Sequence, residues 1–165
     1  FDARPLLKAA LEGQDIGLVS EAGMPAIADP GSSVVRAAHD LGLQVLPLSG
    51  PMSLMLALAA SGLNGQNFAF VGYLPQDAGE RSQRIRELES LALKTGQTQI
   101  FIETPYRNTA LLQALMQTLQ GNTRLALSCG LSLPMQWSHS ATVSTWKRDK
   151  PAAPLVLPTV FCIGR

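Results

Sequence analysis

Cysteine, histidine and net charge are all scarce in this chain of 165 residues. The two cysteines, Cys129 and Cys162, do not form a close pair. They are expected in a reducing compartment, buried as small apolar residues. The two histidines, His39 and His139, lie far apart in sequence, so no metal site is expected. A formal charge of +1 gives no support for a strong polyanion-binding field over the whole surface and leaves a locally basic face open. No run of 18 apolar residues occurs, so no membrane span is expected. The opening stretch, "FDARPLLKAALEG", lacks the basic-then-apolar pattern of a signal peptide. The expected setting is therefore cytoplasmic, with no membrane partner.

What the chain does have is apolar bulk. It is 46% hydrophobic and 15% charged, enough to bury a real core in one ordinary domain or two small ones. The first part alternates. "RPLLKAALEG" is helical in pattern, and "DIGLVS" reads as a strand. "SSVVRAAHDL" places Val34, Val35, Ala38 and Leu41 at helical spacing, "LQVLPL" reads as a strand, and "MSLMLALAASG" is an almost wholly apolar, hence buried, helix. Helices alternating with short apolar strands predict a parallel α/β sheet.

The rhythm changes at "NGQNFAFVGYLPQDAGER". Strand "FAFVG" leads through a polar turn to helix "ERSQRIRELESLAL", in which Glu80 and Arg84 are spaced to pair. Arg81, Arg84 and Arg86 stand beside Glu80, Glu87 and Glu89, which reads as a solvated face of cancelling charge. Strand "TQIFIE" and amphipathic helix "NTALLQALMQTLQG" follow. The last third, "TRLALSC", "QWSHSATVSTW" and "PTVFCIG", has strands without helices between them, which predicts antiparallel pairing. We expect a domain boundary near residues 64–68, giving 1–66 and 67–165. "KPAAPLVLP" is the one proline-enriched loop.

Three strand ends share a device: Asp29-Pro30, Gly50-Pro51 and Thr104-Pro105 each set a cap-type residue before a proline. Such residues can simply cap helices. In a parallel sheet, however, helix N-termini and strand carboxyl ends share one side, where ligands bind. Loops 22–31 and 49–53 would then line one crevice. Glycine permits close approach of a ligand to the backbone. Met24, Ile27, Ala28 and Met52 suit an aromatic or aliphatic ligand and not a bare phosphate, and no Gly-rich Lys-Ser/Thr loop is present. Core filling is the plain alternative for the two methionines.

The motifs "VSEAGMPAIADPG", "VLPLSGPMSLMLALAASGL", "FVGYLP" and "IFIETPYR" come in that order. Together they resemble successive motifs of the tetrapyrrole methylase superfamily, most closely the branch that holds the bacterial 16S ribosomal RNA cytidine 2′-O-ribose methyltransferase. The resemblance spans about residues 18–108, with a fainter echo at "PTVFCIG". It implies a two-domain α/β enzyme binding S-adenosyl-L-methionine in the cleft between its domains. The domains would be a partial parallel α/β domain and a mixed, largely antiparallel one. It further implies a homodimer and a substrate in ribosomal RNA or the small ribosomal subunit. By the same resemblance, Ala22, Gly23, Met24, Ile27 and Ala28 would face the cofactor, and Gly50, Pro51, Met52 and Ser53 would hold its other side. Leu74, Pro158 and Thr159 are weaker candidates for adenine or ribose contacts.

Two departures stand beside the resemblance. The family's first strand and its glycine-bearing loop have no counterpart, so the chain is expected either to be a fragment or to have lost that element. "LALSCGLSLPMQW" also lacks the charged run common in ribosomal RNA-modifying relatives. A methyltransferase acting on a tetrapyrrole or another small molecule therefore stays open, as does an inactive cofactor-binding or dimerisation fragment.

Methyl transfer from a sulfonium is an in-line displacement, and positioning alone can supply roughly 7–11 kcal/mol of the barrier. A ribose hydroxyl is a poor nucleophile and gains from a carboxylate within hydrogen-bond reach. Glu21, Asp29 and Glu103 are the candidates. The plain alternatives are that Asp29 caps, Glu21 is solvated and Glu103 pairs with Arg107. Tyr73, Tyr106 and Arg107 could stack on or clamp a nucleotide or a tetrapyrrole carboxylate, or could serve packing alone.

Overall fold

The structure is a computed structural model and describes residues 2–149 and 154–165. Residues 150–153, the start of the proline-enriched loop, lie outside the described residues. The chain divides into two compact units, Phe1–Met52 and Ser53–Arg165.

In the first unit, a 3-10 turn at Arg4–Leu7 runs into α1, Lys8–Leu11, and the turn packs with α2, Ser32–Asp40. Ala3, Leu7, Ala37 and Ala38 are buried together, with Val34, Leu41, Leu43 and Val45 packed against them. The alternation predicted strands at "DIGLVS" and "LQVLPL", but neither segment joins a hydrogen-bonded ladder. A strand exists only by pairing. With no ladder formed, Val19, Leu46 and Leu48 stand 86%, 69% and 80% exposed.

The second unit begins with α3, Ser53–Ser61. It then carries β1 (Phe68–Tyr73), α4 (Ala78–Thr95), β2 (Thr98–Glu103), α5 (Asn108–Thr118), β3 (Arg124–Cys129), β4 (Trp137–Thr142), α6 (Val143–Arg148) and β5 (Thr159–Gly164). One five-stranded sheet runs β1-β2-β5-β3-β4. The β1–β2 pair is parallel; the other three pairs are antiparallel. The mixed sheet thus places the expected antiparallel last third beside one βαβ unit. "QWSHSATVSTW" is not one strand: Thr142 ends β4 and caps α6, its hydroxyl accepting from the Thr145 amide at 3.3 Å.

α2 to α5 form where the pattern placed them, although α3, expected to be buried, leaves Leu56 45% exposed because only one side of it packs on the sheet. Asp77 Oδ1 accepts from the Gly79 and Glu80 amides, both at 2.9 Å, and α4 ends on Gly96 at φ 73°. Removing this cap with Asp77→Ala should lower unfolding free energy by about 1 kcal/mol, readable as a shift in urea midpoint at constant slope. On one face of the sheet, Ile85 and Leu88 of α4 and Leu111, Leu112 and Leu115 of α5 cover Phe101, Leu125, Leu127, Phe161 and Ile163. The Phe101 and Phe161 rings stack at 5.9 Å, and the Trp146 indole donates to the Leu125 carbonyl at 2.7 Å. Alternation sends Ile100, Ala126 and Cys162 to the opposite face.

Two side-chain expectations on α4 are corrected. Arg84 pairs with Glu87 at 3.2 Å, three residues on, and not with Glu80. Glu89 is not part of a solvated face: it is buried and accepts from the Gln120 amide at 2.8 Å and the Thr123 hydroxyl at 2.5 Å. Its carboxylate satisfies the loop after α5, which a longer apolar side chain could not do.

Both cysteines are buried and free. Burial pushes the Cys162 thiol up to about 12. The raised thiol is also 1% exposed, so iodoacetamide should label Cys162 only after denaturation, as mass spectrometry would show.

Candidate functional site

Residues 20–31 form a turn held in an unusual backbone state. Gly23, Ala26, Ala28 and Gly31 all have positive φ, at 106°, 66°, 55° and 138°. Two of the four are alanines, for which the left-handed region costs roughly 1–2 kcal/mol each. Such strain persists only where surroundings enforce it, and it gathers at functional positions. The enforcement is visible. The Ala26 amide donates to the Pro30 carbonyl at 3.2 Å, and the Ser20 hydroxyl donates to Asp29 Oδ2 at 2.6 Å. A Cβ at Gly31 would lie 3.1 Å from Leu18 Cδ2.

Asp29 therefore does not cap α2. The N-cap is Gly31, and Asp29 instead ties the end of the turn back to Ser20. At the Thr104-Pro105 junction, Thr104 is the N-cap of the 3-10 turn Pro105–Arg107, without a side-chain cap bond.

Within the first unit the two proline-led loops meet. A Cβ at Gly23 would lie 3.5 Å from the Pro51 carbonyl oxygen, and one at Gly50 would lie 3.3 Å from Met24 Cγ. The space beside Gly50 is thus occupied by Met24 itself. Gly23, Met24 and Met52 are half-buried; Glu21, Ala22, Ile27, Ala28, Gly50 and Pro51 are exposed, as is Ser53 at the start of α3. The turn presents apolar side chains and backbone amides, and the carboxylates of Glu21 and Asp29 flank it.

The second unit carries the remaining candidates at the carboxyl ends of β1 and β2. The β1–β2 register slips between Phe70 and Tyr73, around Gly72 at φ 74°. This bulge leaves Tyr73 60% exposed and Leu74 buried. Glu103 ends β2 and is buried, its side chain 2% exposed. Its Oε1 accepts from the Thr104 amide at 2.7 Å, from Arg107 Nε at 3.0 Å and from Arg107 Nη2 at 3.0 Å. The Arg107 guanidinium also sits 5.2 Å from the centroid of the Tyr106 ring, which is 80% exposed. Thr159, directly opposite Glu103 in the sheet, is buried, whereas Pro158 is exposed.

Three contributors escaped the sequence reading. Ser20 and Ala26 give no local signal, because their roles depend on how the turn folds back. Asn108 opens α5 and could have been noticed as a polar residue one helical turn before the apolar Leu111 and Leu112. A groove of about 590 Å³ lies elsewhere, lined by Arg86, Glu89, Lys94, Thr118 and Gln120 among others, and by none of the candidate residues. Among the described residues no cluster of His, Cys, Asp and Glu could hold a metal ion, and no helix is long and apolar enough to cross a membrane.

The chain is similar to known proteins. The sequence profile of the family described as Tetrapyrrole (Corrin/Porphyrin) Methylases matches residues 2–146. The chain is 36% identical over 165 residues to the Ribosomal RNA small subunit methyltransferase I of Mesorhizobium japonicum, covering 99% of this chain and 55% of that protein. It is 37% identical over 147 residues to the protein of the same name from Vibrio cholerae, covering 87% of this chain and 50% of the relative. The chain thus spans about half the length of the curated relatives it matches. The crystal structure of the methyltransferase CobJ superposes with a TM-score of 0.61 at 21% identity, covering 99% of this chain and 70% of that one. That likeness establishes the fold.

Proposed function

The chain belongs to the tetrapyrrole methylase family, and on that premise we propose that it is part of an S-adenosyl-L-methionine-dependent methyltransferase acting on a ribose 2′-hydroxyl of small-subunit ribosomal RNA. The observation that carries the reading is the meeting of the strained turn at Gly23 and Met24 with the loop at Gly50 and Pro51.

The residues fit the cofactor. A sulfonium and an adenine need apolar walls with close backbone and no competing anion cradle. Gly23 and Gly50 let the two loops close on each other, Gly23 toward the Pro51 carbonyl and Gly50 toward Met24, and Met24, Ile27, Ala28 and Met52 supply apolar surface. Ala22, Pro51 and Ser53 complete the turn contacts. From the second unit we assign Leu74, Pro158 and Thr159 to the adenine and ribose. When bound, the cofactor supplies a methyl group activated by positive sulfur.

The chain's own part is alignment and proton handling. Alignment rests on a backbone held rigid by the Ala26–Pro30 and Ser20–Asp29 bonds. Among the three carboxylates, Glu103 has Oε1 committed to Thr104 and Arg107, which suits it to hold Arg107 in place. Glu21 is exposed, and Asp29 keeps Oδ1 available while Oδ2 accepts from Ser20. We assign the hydroxyl-polarising role to this acidic pair, with Glu103 as the remaining candidate. Tyr106 and Arg107, with Tyr73, offer stacking and charge for an unpaired nucleotide. Homodimeric assembly and a cytoplasmic setting are carried in the same proposal.

The substrate-class similarity to the two curated relatives favours RNA over a tetrapyrrole acceptor. The test is methyl transfer from labelled cofactor by the full-length protein, offered small-subunit RNA from an unmethylated strain and, separately, a porphyrin precursor. Label in the RNA supports the reading. Label in the porphyrin alone transfers the assignment to the small-molecule branch.

A further inference from the structure

Asn108, the first residue of α5, is fully buried. Its Nδ2 lies 3.2 Å from the Leu155 carbonyl oxygen, 3.0 Å from that of Leu157 and 3.1 Å from Thr159 Oγ1. Carbonyl oxygens only accept, so the amide nitrogen must face them and its two hydrogens are shared among three acceptors. Among the described residues its Oδ1 is buried without a partner. A buried side chain with an unsatisfied atom is costly. It is tolerated here because the other end of the amide binds a segment 47 to 51 residues away.

That segment is also anchored by packing: Leu155 is buried in the main core, and Leu157 packs against it. The Gly130 amide donates to the Pro158 carbonyl at 2.9 Å, and the Thr159 hydroxyl donates to the Leu157 carbonyl at 2.9 Å. Val156 and Pro158 are exposed, and residues 155–158 lie outside the β5 ladder. The preceding residue, Arg107, clamps Glu103, whose register partner is Thr159. One short stretch, 104–108, therefore holds both the carboxylate at the end of β2 and the strap leading into β5.

We propose that Asn108 is a positioning residue: it fixes the 155–159 strap so that Pro158 and Thr159 meet the cofactor already ordered. This rests on the assignment of those two residues to the adenine and ribose. A strap held in advance loses little freedom on binding, so cofactor affinity rises without any contact from Asn108 itself. Leucine at this position would fill the volume and lose the tether. Aspartate would set an anion against two carbonyls and break it.

The test uses the full-length protein and its Asn108→Ala, Asn108→Asp and Asn108→Ser variants, with steady-state methyl transfer to small-subunit RNA and hydrogen exchange. For Asn108→Ala, KM for S-adenosyl-L-methionine should rise about tenfold, given the loss of two shared hydrogen bonds. Its kcat at saturation and its KM for RNA should change less than about threefold. Amide exchange at Gly130 and across 155–159 should accelerate, while β2 amides stay protected. Asn108→Asp should match or exceed the alanine effect, and Asn108→Ser, which keeps one donor, should recover part of it. If alanine does not fold, the serine variant carries the same comparison. A wild-type KM in a variant whose strap exchanges faster would overturn the proposal, as would equal loss of kcat in every variant. A wild-type protein that binds no S-adenosyl-L-methionine defeats the functional reading instead.

Discussion

Gly50→Val should weaken S-adenosyl-L-methionine binding by about 100-fold while the β1–β5 sheet stays folded. The backbone at Gly50 is not left-handed, so valine meets no conformational barrier there. The obstacle is steric. A Cβ would already stand 3.3 Å from Met24 Cγ, and valine adds two more carbons at that point. Overpacking costs about 1–3 kcal/mol, and each 1.4 kcal/mol is a decade of affinity. The strain is relieved by moving Met24, and Met24 sits in the turn whose geometry depends on Gly23, Ala26 and Ala28. Gly50→Ala is the graded control. One methyl group asks the flexible methionine to yield by a few tenths of an ångström, so the loss should stay below about tenfold. Calorimetry of both variants, with circular dichroism to confirm the fold, reads the series. Wild-type affinity in Gly50→Val would remove this contact from the cofactor site.

Arg107→Ala should destabilise the protein by about 3 kcal/mol, at the low end of the range for breaking a buried pair because the arginine is 27% exposed on its side chain. The loss arises on the other partner. Glu103 is 2% exposed and would keep only the Thr104 groups to satisfy its charge. Arg107→Lys should recover part of the loss, since an ammonium reaches one oxygen but cannot reproduce the paired Nε and Nη2 contacts. The Glu103→Gln/Arg107→Ala double variant should be more stable than Arg107→Ala alone, because the unpaired charge is gone. Urea unfolding of the four proteins decides it. A cost below about 1 kcal/mol for Arg107→Ala would mean that the pair is solvated in solution.

The second unit was legible in the sequence because its patterns are local and complete. "TQIFIE" is centred on the apolar, β-favouring run Ile100–Ile102 and is β2 residue for residue. The misreadings there have local causes too. At "SATVSTW" a run of β-branched residues outweighed the Thr142 cap and the Val143–Trp146 helical spacing. Glu89 looked solvated because a carboxylate on a charged helix usually is, and only the returning Gln120–Thr123 loop buries it.

The first unit was legible in composition but not in pairing. Runs such as "LQVLPL" announce strands, yet a ladder depends on neighbours that a single run does not specify. The candidate site shows the same division. The residue types at Gly23, Met24, Gly50 and Met52 signalled an apolar, close-approach turn. The positive φ values of Ala26 and Ala28, and the diversion of Asp29 from capping to Ser20, are products of the folded turn.

The most direct test is hydrogen exchange on the full-length protein with and without S-adenosyl-L-methionine. Cofactor should slow exchange at the amides of residues 22–28 and 50–53 and leave those of α6 unchanged. Binding that protects other segments while these two continue to exchange at their free rate would contradict the account.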